Sequence, residues 1–292
     1  MRRNLSGRAA AFGVSALLVA ALVLILVAWV PWAESQRLAG PAPEPFPERL
    51  PDLDQETPRQ LEVETKFTGG RRTYWLGFRS AVRNIGDGPL IVVGSRPDTA
   101  HPYMIVDQLI HRIGAEREVV PNVGRMKYVV SPDHQHWHYL GFEHYALQTY
   151  ELRAAESSRI VATDSKTGFC LGDRYRVPTP LPAAPREPVF TGGCGLKQTK
   201  RLRIREGISV GYGDDYSAFL EGQDLPLDGL RGGRYVLVHR VNEDHGLREL
   251  SYANNAASVL LDLRWHEGEP YLRVLRTCPR RGQCDSGSRF ER

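Results

Sequence analysis

The stretch "SPDHQHWHYLGFEHYAL", residues 131–147, sets His134, His136 and His138 at alternate positions in a chain with only nine histidines. In an extended strand, residues i, i+2 and i+4 project from one face, so the three imidazoles stand together while Gln135, Trp137 and Tyr139 face the other way. Core packing does not call for that pattern. Neutral imidazoles suit copper and zinc, and a three-histidine site leaves a coordination position open for water, oxygen or substrate. A flat strand would hold the outer two Cα atoms about 13 Å apart at roughly 3.3 Å per residue, near the limit for two imidazoles on one ion. The strand is therefore expected to bend or bulge here. His144, about 20 Å from His138 on the same arithmetic, is too far along the strand to be a fourth ligand.

Outward from this stretch, segments rich in β-branched and aromatic residues alternate with Gly, Pro, Asn and Asp. They include "RTYWLGFRSAVRN", "GPLIVVGS", "PYMIVDQLI", "MKYVVS", "SRIVAT", "GRYVLVHRVN", "ASVLLDLRW" and "PYLRVLR". Such spacing, with no soluble stretch of helical periodicity, predicts an all-β fold, an antiparallel β-sandwich with long loops. "NIGDGPL" reads as a turn in which Gly86 and Gly88 supply positive φ. Between Leu171 and Gly207 the pattern lapses into "RVPTPLPAAPREPVFTGG", a proline-stiffened loop.

The N-terminus has a different character. Residues 9–33 carry no charge and follow Arg2, Arg3 and Arg8, and the run is long enough to cross a bilayer as one helix. A cleaved signal peptide has a shorter apolar region and a small-residue exit, whereas Pro31 sits at the minus-three position of the obvious cut in "VPWAES". The expectation is a cytoplasmic basic segment 1–8, a signal anchor and transmembrane helix 9–33, and a Pro-rich linker 34–60. A catalytic or binding domain 61–277 follows, with a basic tail 278–292. The arginines place the domain outside the cytoplasm, membrane-anchored, with secretion after signal cleavage as the alternative. The four cysteines are then oxidised, and Cys170–Cys194 with Cys278–Cys284 is the pairing of the three connectivities that closes the shortest loops. The net charge of +4 comes with no stripe of Lys and Arg interleaved with aromatics, so nucleic-acid binding is not inferred. The basic cluster "KQTKRLRIREG", residues 197–207, reads as a solvated loop.

"HWHYLGFE" also matches the His-x-His-x4-Glu core of the cupin motif, but Val130 and Tyr150 stand where its flanking glycines belong. That reading predicts Glu143 pointing at the metal, against strand alternation. A closer likeness begins at "HQHWH" followed by "FEHYAL", which resembles the lysyl oxidase family, copper enzymes with a His-x-His-x-His run and an aromatic-x-His-Tyr element. "DSKTGFCLGD", residues 164–173, is similar to the family's Lys-x-x-Phe-Cys-Leu-x-Asp motif and places its cofactor lysine on Lys166. "GISVGYGDDYSAFLEGQDLPLDGLRGGRYVL", residues 207–237, is similar to the segment with the cofactor tyrosine, which falls on Tyr216 rather than Tyr212. "VNEDHGLRELSYANNAASV" resembles a further family stretch through Glu249, Tyr252, Asn254 and Asn255.

Read alone, Lys166 is a solvated lysine and Tyr216 a half-buried sandwich tyrosine. The resemblance implies instead that they form lysine tyrosylquinone beside a copper held by His134, His136 and His138. It implies oxidative deamination of primary amines, either peptidyl lysine or alkylamines, by molecular oxygen, with release of aldehyde, hydrogen peroxide and ammonia. Asp214 and His144 are both candidates for the base. The competing expectation is a non-catalytic copper-binding β-sandwich surface module, which needs neither Lys166 nor Tyr216.

Overall fold

A computed structural model describes residues 47–131, 134–150, 158–164, 168–218, 220 and 222–284. The expected transmembrane helix 9–33 and Lys166 lie outside the described residues. Those that are described contain strands, turns and loops but no helix, and every strand pair is antiparallel.

In chain order the strands are β1 (Glu48–Arg49), β2 (Leu53–Gln55), β3 (Arg59–Thr68), β4 (Arg71–Asn84), β5 (Leu90–Ser95), β6 (Tyr103–Arg112), β7 (Glu118–Val130), β8 (Gln135–Tyr139) and β9 (Glu143–Thr149). They continue with β10 (Ile160–Thr163), β11 (Tyr175–Arg176), β12 (Arg203–Ile208), β13 (Tyr212–Tyr216), β14 (Leu225–Pro226), β15 (Gly233–Val241), β16 (Ala256–His266) and β17 (Glu269–Cys278). One sheet runs β12-β5-β6-β7-β8 with β1 on β6, and a second runs β10-β9-β15-β16-β17. In the third, β4 carries β13, β14, β2 and β3, and β11 extends from β13.

Sequence pattern explains which faces are covered. Strand β6 alternates, with Met104, Val106, Gln108 and Ile110 inward and Tyr103 and Ile105 exposed, as expected for a sheet with one solvated face. Strand β16 is nearly continuous in apolar residues and is buried from Ala257 to Leu261. One core cluster draws on all three sheets, from Phe78 and Val82 through Leu90, Met104 and Met126 to Leu237 and Leu261. Each such side chain contributes roughly 1.5–3 kcal/mol by its burial.

The structure departs from the sequence-based expectations in four places. The fold begins before residue 61: β1 and β2 lie inside the stretch assigned to the linker, and Leu53, Asp54 and Gln55 are buried. Gly86 and Gly88 do not adopt positive φ. They are needed because the backbone of residues 49–52 passes so close that a Cβ would lie 2.5 Å from Leu50 O at Gly86 and 2.1 Å from Arg49 O at Gly88. The histidine stretch is two strands, β8 and β9, broken by a turn at residues 140–142. The basic cluster is partly the edge strand β12, in which Ile204 points inward between exposed Arg203 and Arg205.

Candidate functional site

His136 and His138 lie on β8, and His134 closes the hairpin that joins β7 to β8. Its backbone exchanges hydrogen bonds with Ser131, N–H to O at 3.3 Å and Ser131 N to His134 O at 2.7 Å. The register of β7 with β8 is regular, so the expected distortion is this turn rather than a bulge. It brings the rings of His134 to 5.4 Å from His136 and 4.9 Å from His138, centroid to centroid. The Nε2 atoms of His136 and His138 face each other at 2.8 Å. One ligand atom from each of the three lies within 4.8 Å of the others. Nitrogens bound to one ion at about 2.0–2.1 Å stand no more than about 4.2 Å apart, so small ring rotations suffice and the donor set fits zinc or copper. Trp137, on the opposite face, is fully buried and donates its backbone N–H to Cys194 O at 2.9 Å and its indole N–H to Gln198 O at 3.2 Å.

Tyr216 ends β13, paired with Ser80 of β4. It is 7% exposed, not half-buried, and its hydroxyl donates to Asp214 Oδ2 at 2.9 Å and lies 3.1 Å from Cys170 O. Its ring packs edge-on against Phe169, with centroids 4.8 Å apart. Burial, with Asp214 and Glu143 nearby, pushes the Tyr216 hydroxyl well above its ordinary range. Asp214 also receives Gly172 N–H at 3.0 Å, and Arg174 stands 3.5 Å from its Oδ1. Burial outweighs these stabilising partners and pushes Asp214 up to about 7. A second buried carboxyl, Glu206, receives Leu171 N–H at 3.1 Å and is likewise raised, first by burial.

The two halves meet through the segment after Lys166. Phe169 and Tyr139 exchange backbone hydrogen bonds at 2.8 and 2.9 Å, so the residue following His138 is tied to the residue packed on Tyr216. Gly168 makes this approach possible: its φ is +70°, and a Cβ there would sit 2.5 Å from Tyr139 O. The expected disulfides, Cys170–Cys194 and Cys278–Cys284, are both formed.

The other sequence candidates separate from this group. His144 is exposed on β9. Glu143 does not belong to the histidine cluster, against the cupin expectation: its Oε2 is bound by His239 Nε2 at 3.0 Å and Tyr145 OH at 2.8 Å. Glu249, Asn254 and Asn255 fasten the N-terminal strand, with Glu249 accepting Leu53 N–H at 2.8 Å and Asn255 Nδ2 at 2.6 Å, and Asn254 donating to Asp52 at 2.8 Å. Burial raises Glu249 to about 7. Tyr252 donates to Leu247 O at 3.1 Å and stacks on His245.

Sequence reasoning missed Arg174, Glu206 and His239, and considered Glu143 only as a metal ligand. The signal for His239 was present, since a lone histidine interrupts the apolar run "YVLVHRV".

Fold and site together define an all-β domain in which a cluster of three histidines that could hold a metal ion is linked to a buried tyrosine–carboxylate pair. A family model described as lysyl oxidase matches residues 102–270, more than half of the chain, and the chain belongs to the lysyl oxidase family. It is 29% identical over 136 residues to protein-lysine 6-oxidase of Gallus gallus, covering 45% of this chain and 26% of that protein. It is 28% identical over 136 residues to the Homo sapiens protein of the same name, covering 45% and 27%. To lysyl oxidase homolog 3B of Danio rerio it is 27% identical over 152 residues, covering 50% and 16%. The match thus spans about a quarter or less of the length of these relatives.

Proposed function

We propose that the protein is a copper-dependent amine oxidase of lysyl oxidase type, converting a primary amine, peptidyl lysine or alkylamine, with oxygen and water to an aldehyde, ammonia and hydrogen peroxide. One arrangement carries this reading: the chain between Phe169 and Cys170 touches Tyr216 on one side and the histidine strand on the other. A metal-binding module would not need a buried tyrosine held this way.

His134, His136 and His138 would hold copper, and Lys166 and Tyr216 would form lysine tyrosylquinone. When present, the metal supplies one-electron chemistry with oxygen and the quinone supplies a carbonyl electrophile for the amine. The protein's own contribution is positioning. Asp214 fixes the Tyr216 ring through its hydroxyl, and Phe169 packs against one edge. A carboxyl that titrates near neutrality and sits 2.9 Å from the tyrosine oxygen is suited to take a proton from substrate and return it later. Arg174 limits how far burial raises it. His144, exposed on β9, lacks such a tie to Tyr216 in the described structure, so Asp214 is the base in this proposal.

The apolar segment 9–33 and the two disulfides support a domain that is membrane-anchored and works outside the cytoplasm. The test is a phenylhydrazine titration of protein prepared with copper and oxygen, followed by mass spectrometry of the peptides bearing Lys166 and Tyr216. A coloured adduct with the two peptides cross-linked supports the oxidase. Copper binding with both peptides at unmodified mass rejects it in favour of the non-catalytic copper-binding module.

A further inference from the structure

A second polar assembly lies in the core beside the proposed site, and the chemistry above makes no use of it. Glu143, Tyr145 and His239 are 2%, 1% and 0% exposed, and Tyr145 and His239 are paired directly across β9 and β15 with ring centroids 4.4 Å apart. Glu143 Oε2 receives both of its contacts, while Oε1 has no hydrogen-bond partner among the described residues.

The direction of each bond follows from the donors available. Gln55 Nε2 lies 2.7 Å from Ala81 O and 2.7 Å from His239 Nδ1. The carbonyl can only accept, so the amide nitrogen must face this way, and His239 Nδ1 accepts its second hydrogen. His239 therefore carries its proton on Nε2 and donates to Glu143. On the other side Tyr145 donates to Glu143 and Ser80 Oγ stands 3.0 Å from the Tyr145 oxygen, with Ser80 paired to Tyr216 across β4 and β13. Two donors therefore converge on one carboxylate oxygen, the His239 ring, itself fixed by Gln55, and the Tyr145 hydroxyl. No arginine or lysine is bonded to Glu143 among the described residues.

A buried carboxylate without a cation is costly, and apolar residues of similar volume would serve the fold as well. We propose that Glu143, locked by His239 and Tyr145, is a positioning residue whose negative charge acts on the Asp214–Tyr216 pair. The proposal deepens the amine oxidase reading and rests on it for its catalytic meaning. His239 on β15 and Tyr145 on β9 bind the carboxylate, Gln55 on β2 and Ser80 on β4 bind those two in turn, and Asp214 and Tyr216 on β13 feel its charge; Asp164 beside β10 acts on Tyr145, and Glu206 on β12 and Arg174 act with Asp214. Glu143 raises both Asp214 and Tyr216, in the same direction as burial. The charge thus helps Asp214 to exchange protons near neutral pH.

The test compares full-length wild type, Glu143→Gln and Glu143→Asp in detergent, each measured in two ways. Infrared difference spectra of copper-free protein follow the Asp214 carboxyl band, assigned with Asp214→Asn, against pH. The kcat/KM profile for a primary amine gives the acid limb. Glu143→Gln is expected to move both midpoints down by about one pH unit, while Glu143→Asp, which keeps the charge, stays near wild type. An unchanged Asp214 midpoint in folded Glu143→Gln overturns the proposal. So does a Glu143→Gln chain that fails to fold while Glu143→Asp folds, since Glu143 would then serve the fold. The infrared readout needs no turnover, so a wild type without amine oxidase activity would reject the functional reading and still leave the electrostatic link decided.

Discussion

Cys170 and Cys194 join the two halves of the site through their backbones as well as their sulfurs. The Cys194 carbonyl receives the N–H of Trp137, between His136 and His138, and the Cys170 carbonyl lies 3.1 Å from the Tyr216 hydroxyl. The bridge therefore links the strand that presents the imidazoles to the tyrosine.

From this follows a contrast between the two disulfides. Cys170–Cys194 spans 24 residues and Cys278–Cys284 spans 6, so chain entropy assigns them about 3.5 and about 2.4 kcal/mol of stability. Replacing both members of the first pair by serine should lower the denaturation midpoint more and also weaken copper binding. The same change in the second pair should leave copper affinity within about twofold, because it lies on β17 and the tail. Copper titrations on both double variants, done beside urea melts, check this.

Under the proposed copper reading the three histidines act as one ligand set, since the rings contact one another and the turn at Ser131 and His134 brings them together. His138→Ala should weaken copper binding at least about 100-fold and remove the stabilisation that metal gives the folded state, about 2.7 kcal/mol at a hundredfold excess over Kd. Imidazole ligands must lose a proton to bind, so copper-dependent stabilisation should be weaker at pH 5 than at pH 7.5. Thermal melts with and without copper at pH 5 and pH 7.5 provide the measurement.

How much of this was legible in the sequence depended on whether the feature is local. His134, His136 and His138 announced themselves through a spacing of two, yet their convergence depends on a hairpin turn that periodicity does not encode. Strand β13 was hidden because "YGDDY" is rich in residues that strands usually avoid, and pairing with β4 overrides that preference. Tyr216 became legible only through resemblance, since nothing near it in sequence marks it as buried. Glu143 and His239, 96 positions apart, meet only because β9 pairs with β15. The linker was drawn too long because its prolines outweigh short β1 and β2, and the segment joining them is received by Gly86 and Gly88, far along the sequence.

Gly168 combines a left-handed backbone with a close approach. With φ at +70° and Tyr139 O in the way of any Cβ, Gly168→Ala combines left-handed strain with a clash. It should destabilise the domain by more than about 1 kcal/mol and open the Tyr139–Phe169 bridge. Hydrogen exchange of the Phe169 and Tyr139 amides should accelerate well beyond what the change in global stability accounts for. Protection equal to wild type at both amides would show that the bridge does not depend on this glycine.

The last prediction concerns Asp214 and pH. Its folded-state value, about 7, is raised from 3.8, so the folded chain holds a proton there that the unfolded chain has released. Stability from this group is complete below about pH 4 and is lost as pH rises through 7, a change on the order of a few kcal/mol. Glu249, raised from 4.5 to about 7, adds a fall of the same sign over nearly the same window. Asp214→Asn cannot ionise, yet its side-chain oxygen still accepts from Tyr216 and Gly172. The variant should therefore lose less stability than wild type between pH 5 and pH 8, keeping the slope due to Glu249 and the other raised carboxyls such as Glu206. Urea melts across that range decide it. Parallel curves for the two proteins would mean that Asp214 titrates at its ordinary value, and would also remove the argument that it serves as the base.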